Sequence, residues 1–171
     1  GADGALARRA ALTGLAAASA FVTLPGGASA QSASPPAAAA EPPLRSLIAA
    51  PAKTRLRPAP ALDSEIWAFD GATPGPTLRI RQGETLRLEL LNNTSAPLSL
   101  HWHGLRGEAA MDGVGGFSQP AIAPGERFTY RLKPPDSGTI LYRPLVLGGA
   151  AEPAGRGLSG LLVVEEPEPP P

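Results

Sequence analysis

The chain contains no cysteine among its 171 residues, only two histidines and one methionine, and aromatic residues make up just 5%. Without thiols it can form no disulfide, iron–sulfur cluster, thiolate zinc site or blue-copper thiolate of its own. The missing disulfides do not assign a compartment, because exported proteins can lack them. Excess charge is absent too. Fifteen Lys and Arg balance fifteen Asp and Glu, so no basic surplus argues for nucleic acid or an anionic membrane surface. A nucleophile–base pair, paired carboxylates and a phosphate-cradling loop are likewise missing. GVGG at 113–116 is a flexible turn without the strand–helix context of a nucleotide site.

Proline and glycine are plentiful, 21 and 20 residues, and they cluster at the two ends and in turns. Near the N-terminus, Arg8 and Arg9 precede an apolar run at 10–24 and then Ala28-Ser29-Ala30. That is the order of a secretory signal, a charged region followed by an apolar stretch and a small-residue cleavage site. The arginine pair, with Leu12 beyond it, resembles a twin-arginine signal, although Ala11 stands where such signals prefer Phe. The run falls short of the about 20 residues a membrane span needs. The expectation for 1–30 is therefore a Tat-like signal peptide or a retained anchor, with periplasmic localisation and any membrane association made through 10–24.

Residues 31–52 are Ala/Pro-rich with little periodicity and read as an extended, semi-stiff linker. LRSLIAA within them is an apolar patch able to dock. The end, EEPEPPP, is acidic and proline-rich, and 167–171 form a Pro-rich tail that cannot join a sheet.

Between linker and tail, over 53–166, the pattern is β. TLRIRQ alternates Leu78 and Ile80 with Arg79 and Arg81, and ETLRLELLNN sets Leu86, Leu88 and Leu90 against Arg87 and Glu89. PLSLHWH, RFTYRLK, TILYR and LSGLLVVEE are further short runs, punctuated by TPGP, QGE, NNTS, APGE and PDSG. Seven or eight strands without an internal helix predict an all-β Greek-key antiparallel sandwich. Its core should include Trp67, Leu78, Ile80, Leu88, Leu90, Phe128, Tyr130 and Leu162. The overlapping sequons at Asn92 and Asn93 are read as a turn.

Both histidines lie in LSLHWHG, one residue apart. Alternate residues of a strand share a face, so His101 and His103 should point together with Trp102 opposite. From these residues alone, half a metal site and two solvated imidazoles are equal readings.

A longer pattern separates them. IWAFDGATPGPTLRIRQGETLRLELLNNTSAPLSLHWHGL, then AMDGVGGFSQPAIAPGERFTYRLKPPDSGTILY and GRGLSGLLVVEE, together resemble the first cupredoxin domain of the multicopper oxidases, the family of laccases and bacterial copper oxidases. The resemblance implies a cupredoxin-like sandwich and remnant copper ligands. His101 corresponds to a ligand of the type 2 copper and His103 to one of the type 3 pair. It makes Asp112 a candidate for steering protons toward the cluster, although an aspartate before Gly113 is also an ordinary turn residue.

The family's second histidine pair follows a Gly-Thr turn. Here that stretch is GTILYRPLVL, with Arg143 and Leu145 at the two ligand positions. Guanidinium offers donors only, and a leucine side chain has no lone pair. By the same resemblance, the remaining ligands and the blue-copper Cys belong to a C-terminal domain not found in this sequence. The expectation is copper absent or substoichiometric, no catalytic residue, and a non-catalytic accessory subunit held by other proteins in a periplasmic or membrane-associated complex. The alternatives are the copper-binding domain of a split or truncated oxidase, and a copper carrier using His101, His103 and Met111. The resemblance also places Arg143 across from the histidines, near the Asp112 loop. Arg143 is expected either to form an ion pair with Asp112 or to face solvent or a partner.

Overall fold

The computed structural model describes residues 41–149 and 151–168. Eight strands form two four-stranded sheets: β1 (Leu44–Thr54), β2 (Ser64–Phe69), β3 (Leu78–Arg81), β4 (Leu86–Asn92), β5 (His101–His103), β6 (Arg127–Leu132), β7 (Gly138–Arg143) and β8 (Gly160–Glu165). One sheet has the order β2-β1-β4-β6 and the other β3-β8-β7-β5. A 3-10 turn at Ala109–Met111 and a single helical turn, α1 (Ala151–Gly155), are the helical elements among the described residues.

Alternation decides which face each strand buries. Leu86, Leu88 and Leu90 of β4, Leu78 and Ile80 of β3, and Leu162 and Val164 of β8 all turn inward, while Arg79, Arg81, Arg87, Glu89 and Leu161 turn out. Trp102, Tyr130, Tyr142 and Phe69 fill the centre, with Trp102 edge-on to Tyr130 at 5.7 Å. Of the eight expected core residues, seven are buried, and Phe128 packs against the core half-buried.

Two expectations need correction. The sandwich stands, but its sheets are mixed: β1 runs parallel to β4, and β3 runs parallel to β8. A period of two specifies the face of a residue and says nothing about the direction of the neighbouring strand. The second correction concerns the linker expected at 31–52, because residues from Leu44 onward form β1. Leu47 and Ala49 are fully buried there, although small residues and Pro51 weaken the alternation. Residues 44–49 pair with β4, and 49–54 pair with β2. Pro51 thus falls where β1 has already left β4, on the stretch where a missing N–H breaks no ladder. Arg8, Arg9 and the apolar run at 10–24 lie outside the described residues. No helix among the described residues is long and apolar enough to cross a membrane.

Candidate functional site

β5 lies at the edge of its sheet, paired antiparallel with β7, so that His101 faces Arg143, Trp102 faces Tyr142 and His103 faces Leu141. Trp102 and Tyr142 enter the core. His101, His103 and Arg143 therefore share the outer face, half-buried. The two imidazoles stand edge to face, with ring centroids 4.5 Å apart.

Each ring has a distinct partner. The Nδ1 of His101 lies 2.7 Å from the backbone carbonyl oxygen of Asp112. A carbonyl only accepts, so Nδ1 carries the proton and, in the neutral ring, Nε2 keeps its lone pair. The Asp112 carboxylate is farther off, at 3.5 Å. His103 is arranged the other way round: Arg143 Nε donates to its Nε2 at 2.6 Å. That lone pair is taken, and the neutral ring's proton belongs on Nδ1. Burial, then the neighbouring His101, then the Arg143 charge hold the pKa of His103 below its ordinary value, with Asp112 opposing them weakly.

Glycine makes the Asp112 contact possible. Gly113 has φ +79°, and a Cβ there would overlap the backbone carbonyl of Leu100 on the approach to β5. The Met-Asp-Gly loop can press against the histidine strand only because that residue has no side chain.

The expected ion pair between Asp112 and Arg143 does not form. Asp112 serves His101, and Arg143 turns to His103, one step diagonally along the ladder. Leu145 contributes only its backbone carbonyl, which accepts from the Ser99 hydroxyl and the Gly115 N–H. Met111 is not a third ligand beside the histidines. Its sulfur accepts the Arg131 N–H of β6 at 3.4 Å, and it packs against the core. No group of three or more His, Asp or Glu placed to hold a metal occurs among the described residues. The donors present do not fit a trinuclear copper cluster, since one of the two remaining imidazole lone pairs is occupied by a cation.

A cavity of about 630 Å³ opens beside this site. Asp112, Met111 and Phe117 line it together with the basic Arg106, Arg131 and Lys133. Arg106 is held by a two-bond fork on Asp136 at 2.7 and 2.8 Å. No sequence signal announces this basic lining, because its members come from separate segments joined only by the fold.

Comparisons with known proteins agree with this architecture. A cupredoxin-like sandwich with a His-X-His edge strand and a Met-Asp-Gly loop against it is the class of domain described here. The family model for multicopper oxidases matches residues 52–169, and the chain belongs to that family. It is 39% identical over 104 residues to copper resistance protein A of Pseudomonas syringae pv. tomato, covering 61% of this chain and 16% of that one. It is 38% identical over 106 residues to L-ascorbate oxidase of Nicotiana tabacum, covering 60% of this chain and 18% of the enzyme. Among solved structures, a multicopper oxidase from Pseudomonas thermotolerans superposes with a TM-score of 0.68 at 43% identity, over 74% of this chain and 30% of that one. Lac15 from a marine microbial metagenome gives 0.69 at 38% identity, over 75% and 34%. The chain thus spans less than a fifth of the length of these two curated relatives.

Proposed function

We propose that this chain acts as a non-catalytic multicopper-oxidase-like cupredoxin module, exported to the periplasm, where it serves as a structural or accessory subunit of a larger periplasmic or membrane-associated complex. The observation that carries the reading is the Arg143 guanidinium seated on His103 at 2.6 Å. A protonated guanidinium cannot ligate copper, and its charge opposes a second cation at the same imidazole.

The surroundings suit contact with protein. Leu141, in register with both His103 and Leu161, is 39% exposed, as is Leu161. Leu147 and Phe117, in flanking loops, are 60% and 81% exposed. Interface cores are more apolar than the rest of the surface and enriched in Phe and Arg. Export rests on the Arg8/Arg9 pair and the apolar run after it.

The test is elemental analysis of the native protein after copper loading, together with a phenol-oxidase assay and crosslinking of neighbouring chains. Copper well below one per chain, no oxidase activity and a stable crosslinked partner are expected. Three coppers with oxidase activity that depends on a copurifying chain would instead establish a split oxidase.

A further inference from the structure

We infer that Met111 is an oxidation-sensitive clasp, and that peroxide, by converting its thioether to the sulfoxide, releases the Met-Asp-Gly loop from edge strand β6 and loosens its hold on His101. The inference goes beyond the accessory role and depends on neither a metal nor a docked partner.

The loop ties the two sheets together. β6 is the last strand of one sheet and β5 the last strand of the other, and Met111 and Asp112 make one bond to each. The Met111 sulfur accepts the Arg131 N–H of β6 at 3.4 Å, and the Asp112 carbonyl accepts the Nδ1–H of His101 on β5 at 2.7 Å. The 3-10 turn couples the two residues, with the N–H groups of Met111 and Asp112 donating to the carbonyls of Glu108 and Ala109. A thioether is a weak acceptor, so the attachment to β6 is the weaker one. The sheets themselves do not need the clasp. The Tyr130 hydroxyl of β6 accepts the Leu100 N–H, and the Tyr130 ring packs edge-on to Trp102. Release of the loop is therefore a local event.

Met111 is also placed to be reached. It is the single methionine of the sequence, half-buried, and it lines the cavity of about 630 Å³, through which a molecule as small as peroxide gains the sulfur. A sulfur lone pair attacks one peroxide oxygen, and the S–O bond forms as the O–O bond breaks. The departing hydroxide then takes the proton from the new S–OH and leaves as water, so sulfur is oxidised and peroxide reduced. Sulfur has two lone pairs, and the Arg131 N–H holds one of them. Oxygen therefore adds to the other, which makes one sulfoxide epimer, and the electron-poor sulfur no longer accepts the N–H. The polar S–O group is also a poor fit where an apolar chain packs against the core.

The experiment treats the full chain with hydrogen peroxide in the absence of denaturant, beside Met111→Leu. Peptide mapping should place one oxygen on Met111. Of the two methionine sulfoxide reductases, each specific for one epimer, only one should restore the sulfide. Hydrogen exchange at the Arg131 amide should quicken roughly two- to tenfold, the loss of one hydrogen bond. Long-range proton–nitrogen correlation should show His101 pass from the Nδ1-protonated form to a mixture of tautomers. Peroxide should leave His101 unchanged in Met111→Leu.

A Met111 that oxidises only once denaturant is added would overturn the inference. So would an equal mixture of epimers, an Arg131 amide and a His101 ring indifferent to the oxidation, or loss of the whole sandwich with it. The same change at His101 in peroxide-treated Met111→Leu would place its cause elsewhere and remove the clasp.

Discussion

Arg143 and His103 are not register partners, yet their side chains meet at 2.6 Å across the β5–β7 ladder. Arg143 faces His101 in the pairing and reaches diagonally past it. The contact divides two imidazoles of common origin: one leans on a backbone carbonyl with its outer nitrogen free, and the other is capped by a cation.

That division sets the energetic coupling. A double-mutant cycle on Arg143→Met and His103→Ala should show non-additivity of roughly 0.5–3 kcal/mol, the range for residues in direct contact. The matching cycle on Arg143 and Asp112 should come out near zero, since Asp112 bonds His101 instead. Denaturant unfolding of the six proteins decides it. A larger coupling for the Asp112 pair would show that the ion pair forms in solution.

The depressed pKa of His103 predicts a pH dependence of stability. Burial, then the neighbouring His101 and the Arg143 guanidinium, disfavour its charged form in the folded state, so just below the ordinary value of 6.5 the unfolded chain binds more protons. Stability should therefore fall as pH drops below that value and stop falling once the folded-state pKa is passed. His103→Gln should flatten this part of the profile, just below 6.5. An unchanged slope in that variant would mean that other groups carry the dependence.

β1 should prove part of the folded domain. Leu47→Ala and Leu88→Ala remove side chains that are fully buried in neighbouring strands, and each should cost about 2–5 kcal/mol. Thermal or urea denaturation measures both. If Leu47→Ala were as stable as wild type, residues 44–54 would behave as the separate arm that their composition suggests.

Gly113 should tolerate no side chain. Its φ of +79° and the overlap with the Leu100 carbonyl make Gly113→Ala destabilising by roughly 1–3 kcal/mol. The Met-Asp-Gly loop should withdraw from β5 and release His101 Nδ1 from the Asp112 carbonyl. A mixed His101 tautomer in the nitrogen spectrum would report this directly.

Export can be tested apart from the fold. Replacing Arg8 and Arg9 together by Lys should leave the precursor in the cytoplasm, because a twin-arginine signal is recognised through its guanidinium pair. Fractionation of cells expressing both forms reads the outcome. Normal periplasmic accumulation of the double variant would point to another route.

Much of the sandwich was legible in the chain itself, because alternation is a local property. Leu78 and Ile80, or Leu86, Leu88 and Leu90, announce a buried face without reference to any other strand. The common face of His101 and His103, and the turning of Trp102 into the core, follow from the same period of two. The loss of two ligands was instead an expectation from the family resemblance, resting on the chemistry of Arg143 and Leu145 where the family has its second histidine pair.

Tertiary structure decided the rest. β1 was hidden because alanine and proline blur the alternation, and only the ladders with β2 and β4 show that Leu47 and Ala49 are buried. The parallel pairs were hidden because strand direction depends on connections between distant segments. The partner of Arg143 was beyond the sequence for a further reason. Asp112 offered a full negative charge and His103 only a lone pair, so charge alone favours the wrong residue. The approach of the loop at Gly113 gives Asp112 to His101, and the diagonal across the ladder leaves His103 Nε2 within reach of the guanidinium.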